Sequence, residues 1–410
     1  MSIPLLRAAA LTAAMLPALA PATPLTLDQA LDLAVQRSQA ARSARAAVAS
    51  ASEAARAAGQ LPDPMLSVGV DNLPVTGADR FSTTAESMTM KRVGISQEWL
   101  SAEKRAAREG AARAAIEREA VAEKAAQAET RLQTALAYLD AYYAGEALEL
   151  TKLTEHHLHE EWEAAKGRLS ASAGSSQEVL AMTSARGAAE DESAEVRQGQ
   201  ATASVTLQRW TGRPVDELAP PAMAGAPAEA AYVASHPGVL SAQRDVDVAR
   251  REAALTAINR KPNWTWQVSY GQRQGYSDMV SFGVSIPLPV AAAERQDRET
   301  ASKLALVDKA EAAWEDATRA ATAEYRMLAS DRQRLGERIE RYRAGVVVPA
   351  RQRTQAAMAG YGSNQVSLMT LFEARHAEVE AQRKLLSLQR DLAKVQAQLA
   401  FKPLIAGGGQ

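Results

Sequence analysis

The sequence predicts a mainly α protein with a small membrane β part. Long helices pack as a coiled-coil barrel wall, and four strands per chain contribute to a larger β-barrel. Three observations carry this. The 410 residues are only 5% aromatic and 23% charged, with both signs mixed, a profile of long helices rather than a compact core. Four short segments alternate apolar with small polar residues. The chain is also written twice, with the same landmarks in the same order.

Residues 1–22 read as an export signal. Arg7 supplies a basic start, Ala8 to Leu16 an apolar run, and Ala18-Leu19-Ala20 a small-residue cleavage site, with Ala20-Pro21-Ala22 as a second option. That run is short for a spanning helix, and no later segment approaches the roughly 20 apolar residues such a helix requires. Any membrane span is therefore expected to be a β-barrel. The sequence has no cysteine, which excludes disulfides, thiol catalysis and a lipid-modified N-terminal cysteine. A net charge of −1 leaves no electrostatic footprint for nucleic acid.

The first repeat is expected over 23–212 and the second over 231–402. A Pro/Gly/Ala-rich linker at 213–230 joins them, and 403–410 form a flexible tail. Each copy opens with an Ala-rich helical stretch ending at proline, Leu61-Pro62-Asp63-Pro64 and Arg260-Lys261-Pro262. Next comes a strand pair ending in Val93-Gly94-Ile95-Ser96 or Phe282-Gly283-Val284-Ser285. Long helical patterns then open near Lys104-Arg105 and Glu294-Arg295. Each copy closes on a glycine turn, Gly174-Ser175-Ser176-Gln177 and Gly362-Ser363-Asn364-Gln365. Ser285 follows Ser96 by 189 residues and Gly362 follows Gly174 by 188, a spacing that shared composition alone does not produce.

The strands are expected at about 64–71, 88–99, 263–270 and 279–288. On the apolar face stand Leu66, Val68 and Val70, then Val93 and Ile95, then Trp264, Trp266, Val268 and Tyr270, then Val280, Phe282, Val284 and Ile286. The other face is small and hydroxylic, as a barrel with lipid outside and water inside requires. A half-buried soluble sheet shows the same alternation. Trp99 and Trp264 at the helix-proximal ends favour the membrane, where aromatic residues gather at the interface. Lys91 shares the apolar face and must lie at the rim or mark a register change. Four strands cannot close a barrel, so the subunit must associate.

From Ser101 to about Ser172 there is no proline, and about 70 helical residues span roughly 105 Å. The stretch from Ala291 to Gly360 is similar. Leu328, Leu335 and Tyr342 recur every seven residues, as do Ile339 and Val346, a period that calls for helix–helix packing with left-handed supercoiling. An ordinary antiparallel coiled coil shares this period. Pro349 should kink or interrupt its helix. Gly174 and Gly362 are expected to close helical hairpins by adopting positive φ, with both turns together at the end far from the strands.

Several of these segments, in this order, resemble TolC-like outer-membrane efflux proteins. They are Leu61-Pro62-Asp63-Pro64, Val93-Gly94-Ile95-Ser96, Trp210-Thr211-Gly212, and the run from Val346-Val347-Val348-Pro349 through Gly360-Tyr361-Gly362-Ser363 to Leu371-Phe372-Glu373-Ala374-Arg375. The order and duplication carry the likeness, which covers nearly the whole mature chain. The resemblance implies a homotrimer with a twelve-stranded barrel in outer-membrane lipid and an α-helical barrel crossing the periplasm. It implies a periplasmic adaptor (membrane fusion) protein docking on tips formed by Gly174, Ser175, Ser176, Gln177, Gly362, Ser363, Asn364 and Gln365. An inner-membrane RND-type pump would lie beyond that adaptor. Phe372, Glu373 and Arg375 would line the periplasmic aperture. The Ser367-Leu368 to Glu373-Ala374-Arg375 wording is closer to the heavy-metal exporter branch than to multidrug or protein-secretion ducts.

Few residues suggest other chemistry. His156, His157, His159 and Glu160 form the one metal-like cluster. Spacings of three and four let His156, His159 and Glu160 share a helix face, although a solvated polar surface fits the same pattern. Asn263-Trp264-Thr265 fits a glycosylation acceptor in form only. No phosphate loop, cofactor motif or nucleophile motif is found, so no enzyme activity and no cofactor are expected. Two other readings differ in what they require. A periplasmic adaptor would show one helical hairpin flanked by soluble β domains, and a structural coiled coil leaves the duplicated strands unexplained.

Overall fold

A computed structural model describes residues 24–215, 217–223 and 225–404. The export signal and positions 405–410 of the expected tail lie outside the described residues. The first repeat comprises α1 (Leu27–Arg37), α2 (Gln39–Ala58), β1 (Met65–Asp71), β2 (Met90–Trp99), α3 (Ala102–Ser170) and α4 (Ser176–Thr211). The second follows the same order: α5 (Glu229–Ala234), α6 (Pro237–Ile258), β3 (Trp264–Gln272), β4 (Met279–Ser285), α7 (Gln296–Tyr342), α8 (Val348–Gly362) and α9 (Leu368–Phe401). Helix α3 runs 69 residues, about 100 Å. None of the described helices is long and apolar enough to cross a membrane.

Side-chain oxygens set most helix starts. Thr26 and Gln29 form a reciprocal capping box on α1. Ser38, Ser101, Ser175 and Ser367 each accept from the backbone N–H three residues on, opening α2, α3, α4 and α9. Gly212, at φ 78°, ends α4 in the left-handed conformation. Strand β4 stops at Ser285 rather than near 288, because Pro287 and Pro289 have no N–H for a ladder.

The expected break at Pro349 takes a specific form. Residues Arg343–Val347 form a π-helical turn, and Pro349 sits in the first turn of α8, where a missing N–H costs least. A π-turn inserts one residue into the helical count, and the inner stripe shifts by one. Leu328, Leu335, Ile339 and Tyr342 face inward above the turn. The seven-residue period would continue that stripe to Val346, which instead is 41% exposed. From Val347, the last residue of the turn, the inner face passes to Ala350, Thr354, Ala357 and Tyr361.

Two apolar clusters hold the helices. The first joins α1, α3, α4 and α9 through Leu27, Leu31, Tyr138, Leu139, Leu207 and Ala397. The linker belongs to this cluster. Leu25 makes a parallel bridge to Leu218, and the Tyr138 hydroxyl donates between the carbonyls of Leu25 and Ala219, at 2.7 and 2.6 Å. Burial pushes that phenol up to about 12. In the second repeat, the Tyr325 hydroxyl donates to the Pro227 carbonyl at 3.0 Å. The tail expected from 403 is held further than foreseen: Leu404 is buried and donates its N–H to Ser235 at 2.7 Å.

The second cluster lies beneath the helical turns. It combines Ala165 of α3, Met182 of α4, Ala357 of α8 and Leu368, Leu371 and Ala374 of α9. The two helical hairpins therefore end side by side, far along α3 from the strands.

Candidate functional site

The four strands form one antiparallel sheet in the order β1-β2-β3-β4. The central pair joins the repeats, and the outer edges of β1 and β4 have no partner strand among the described residues. Register stacks the apolar residues in rows. Val68, Val93, Tyr270 and Val280 stand side by side, as do Leu66, Ile95, Val268 and Phe282, and then Trp266 with Val284. Trp99 and Trp264 pair at the helix-proximal end with ring centroids 6.1 Å apart. This face is open: Val68 is 74% exposed and Phe282 79%, far more than isolated apolar surface residues require.

The opposite face carries Ser67, Gly94, Ser269 and Ser281 in one row and Met65, Ser96, Gln267 and Gly283 in the next. It is crowded. A Cβ on Gly94 would lie 2.9 Å from both Ser269 Cβ and Ser67 Oγ, so only glycine fits. Charge is confined to its ends, where Arg92 pairs with Asp71 at 3.1 Å and Glu98 accepts from Asn263 at 2.7 Å. Lys91 lies opposite Val70 at the loop end of the sheet. It is a rim residue, and the alternation runs on without a register change.

A contact that sequence reasoning missed ties the sheet to the helices. Lys104, buried in the first turn of α3, donates to Asn263 Oδ1 at 2.6 Å and to the Lys261 carbonyl. Burial and the nearby Arg108 push its ammonium below the usual range, and Glu98 opposes them. Its partners lie 157 and 159 residues away, so no local motif marks it.

At the other end, the expected tip residues lie at the turns. Ser175, Ser176, Gln177 and Gly362 to Gln365 are exposed, and Gly174 is half-buried. The expectation that the two glycines carry positive φ is corrected. The left-handed residues are Ser172 (φ 57°) and Asn364 (φ 58°). The Ala173 N–H reaches the Arg168 carbonyl and the Gln365 N–H the Gly360 carbonyl, both at 2.8 Å, so 173 and 365 are equivalent. Gly362 is the last residue of α8, one helical turn short of Gly174's place. Close approach explains Gly174, since a Cβ there would stand 3.0 Å from Arg168 Cβ.

The three aperture candidates separate. Glu373 is exposed, whereas Phe372 packs into the cluster beneath the tips and stacks on His376 at 5.9 Å. Arg375 donates to Glu161 Oε1 at 2.8 Å across the two helical hairpins. The Glu161 side chain is only 4% exposed. Burial holds its carboxyl above the ordinary value, with Arg375 pulling it down and Glu160 pushing it up. Sequence reasoning missed Glu161, whose partner is 214 residues away.

The three histidines do not converge on one point. Glu160 lies 3.3 Å from His156 and 3.5 Å from His157, while His159 turns toward Trp162, with ring centroids 6.2 Å apart. Among the described residues no group of three or more His, Asp or Glu side chains is placed to hold a metal ion.

No family model matches the chain, and no curated protein matches it. Solved structures match over nearly its whole length. The outer membrane protein VceC from Vibrio cholerae is 16% identical with a TM-score of 0.75, the match covering 92% of this chain and 96% of that one. CusC, described in terms of transmembrane channel formation, is 16% identical with a TM-score of 0.77, covering 94% and 92%. The open state of the Neisseria gonorrhoeae MtrE outer membrane channel is 17% identical with a TM-score of 0.78, covering 92% and 88%. At these identities the likeness is one of fold, and the chain has the long-helix and four-strand architecture of these proteins.

Proposed function

We propose that this chain is one subunit of a TolC-like outer-membrane efflux channel, a passive trimeric duct through the outer membrane and periplasm. One observation carries the reading: the sheet has a continuous exposed apolar face and two open edges. In lipid such a sheet is stable only when neighbours close it. Three chains would supply twelve strands, an even number suited to outer-membrane barrels. The apolar rows would meet lipid, the serine and glycine rows would line the lumen, and the tryptophan pair would sit at the periplasmic interface.

The long helices would form the periplasmic wall. The turns at Gly174 to Gln177 and Gly362 to Gln365 would receive a periplasmic adaptor, and Glu373 is the candidate for the aperture lining. With no nucleotide-binding motif, the duct would take its energy from an RND-type inner-membrane pump. Metal cations are the leading cargo, on the wording of the second-repeat signature, with multidrug or small-molecule efflux as the alternative. The exposed histidines need no role, because a tightly held ion leaves a conduit slowly.

The test is assembly and conduction. Detergent-extracted protein should weigh as a trimer in native mass measurement and open discrete conductances in planar bilayers. A conducting-inactive monomer overturns the reading. Disrupting the gene in its host and challenging with divalent metals and with drugs then separates the two cargo classes.

A further inference from the structure

We propose that the junction between sheet and helices is a binding site for an anionic glycerophospholipid headgroup, with its phosphate seated among Lys104, Arg260 and Arg295. The proposal rests on the channel reading, which sets this junction at the periplasmic interface of the membrane, and adds to it a bound lipid. The site is a cavity of about 370 Å³, a size suited to small ligands. It lies where three parts of the chain meet: the first turn of α3, the turn between α6 and β3, and the segment from β4 to α7. Lys104, Arg260 and Arg295 line it, and among the described residues no carboxylate does. A cleft lined by one sign of charge concentrates ions of the other.

The cations are unequally satisfied. Lys104 is 3% exposed, and its two partners, the Lys261 carbonyl and Asn263 Oδ1, are neutral. Glu98 is reached through Asn263, which donates to it at 2.7 Å. A buried ammonium whose direct partners are neutral stays short of counter-charge. Arg260 and Arg295 pair with Asp297 and Glu299 at 3.4 and 3.6 Å. These are exposed pairs of the kind that add little, and a guanidinium has more N–H donors than such a pair uses. A phosphate in the cavity would take those donors as charge-assisted hydrogen bonds.

Two further features select a lipid over a free anion. Leu288 and Val290 line the same cavity and are 77% and 94% exposed. They follow Ile286 of the apolar row, and Asn263 adjoins Trp264 of the tryptophan pair. Basic groups set beside apolar surface at an interface take a headgroup and leave its acyl chains to the membrane. Free phosphate would leave both apolar side chains bare. The Gln296 side-chain oxygen is also buried at the cavity with no hydrogen-bond partner. A headgroup hydroxyl, as in phosphoglycerol, would donate to it, whereas a headgroup ammonium would meet three like charges.

Native mass measurement of the detergent-extracted assembly, titrated with phosphatidylglycerol, phosphatidylcholine or inorganic phosphate, tests the site. Phosphatidylglycerol should bind about tenfold more tightly than phosphatidylcholine, which has the same phosphate but a fixed cation and no hydroxyl donor. The double variant Arg260→Gln with Arg295→Gln should lose about that factor. Both side chains are mostly exposed, so folding should survive. Arg298→Gln, on the same turn of α7 but outside the cavity lining, should bind the lipid as the unaltered protein does. A conducting double variant that binds phosphatidylglycerol as tightly as Arg298→Gln overturns the site and leaves the channel reading standing. Equal binding of the two lipids, or displacement of phosphatidylglycerol by an equal concentration of inorganic phosphate, overturns the lipid assignment in the same way. Monomers that neither conduct nor bind lipid overturn both.

Discussion

Two glycines that look alike in the sequence do different work. At Gly174 a Cβ would crowd Arg168 at 3.0 Å, so Gly174→Ala should cost about 1–2 kcal/mol. At Gly362 nothing lies within 4 Å and φ is not positive, so Gly362→Ala should be neutral or gain up to about 1 kcal/mol; thermal melting of the two variants checks the contrast. The Glu161–Arg375 pair makes a second residue-level prediction. Arg375→Ala leaves a buried carboxylate unpaired and should cost about 3 kcal/mol. Because burial raises the Glu161 pKa, the folded chain binds this proton more tightly than the unfolded one. The stability it contributes is full below the ordinary carboxylate value and is lost as pH rises through the raised one. Relative to Glu161→Gln, the unaltered protein should therefore gain melting temperature as pH falls from about 7 to about 4.

Elements were legible in proportion to how local their signals are. Period-two alternation marked all four strands within about three residues of their ends, and the absence of proline marked α3. The seven-residue period ran true from Leu328 to Tyr342 and then failed at Val346, because a single inserted residue leaves no signature beyond the nearby Pro349. Lys104 and Glu161 were invisible for the opposite reason: each is an ordinary charged residue on a charged helix until a partner more than 150 positions away meets it. The π-turn yields its own test. Deleting Gly345 should restore an unbroken α-helix and rotate α8 by about 100° relative to α7. Thr354, which donates to the Ala374 carbonyl at 3.0 Å, and Ala357 would then leave the cluster beneath the tips. Cysteine accessibility at 354 should rise sharply, whereas Gly345→Ala should leave it unchanged.

At the scale of the whole molecule, the two faces of the sheet should respond oppositely to charge. Val268→Arg, in the middle of the apolar face, should cost about 2–4 kcal/mol of stability in the membrane and reduce the amount of inserted protein. Ser281→Lys, on the opposite face, should insert normally and shift ion selectivity toward anions in single-channel recordings. The unfinished edges of β1 and β4 carry a consequence for biogenesis. Helices satisfy their backbone within themselves, so most of each chain can mature in solitude. On the proposed trimeric assembly, the rims of the sheet must wait for company. Completion is then a many-body event whose pace depends steeply on supply: halving synthesis should delay mature pores by more than twofold, and a chain that arrives alone should linger, helical and soluble at one end, sticky at the other.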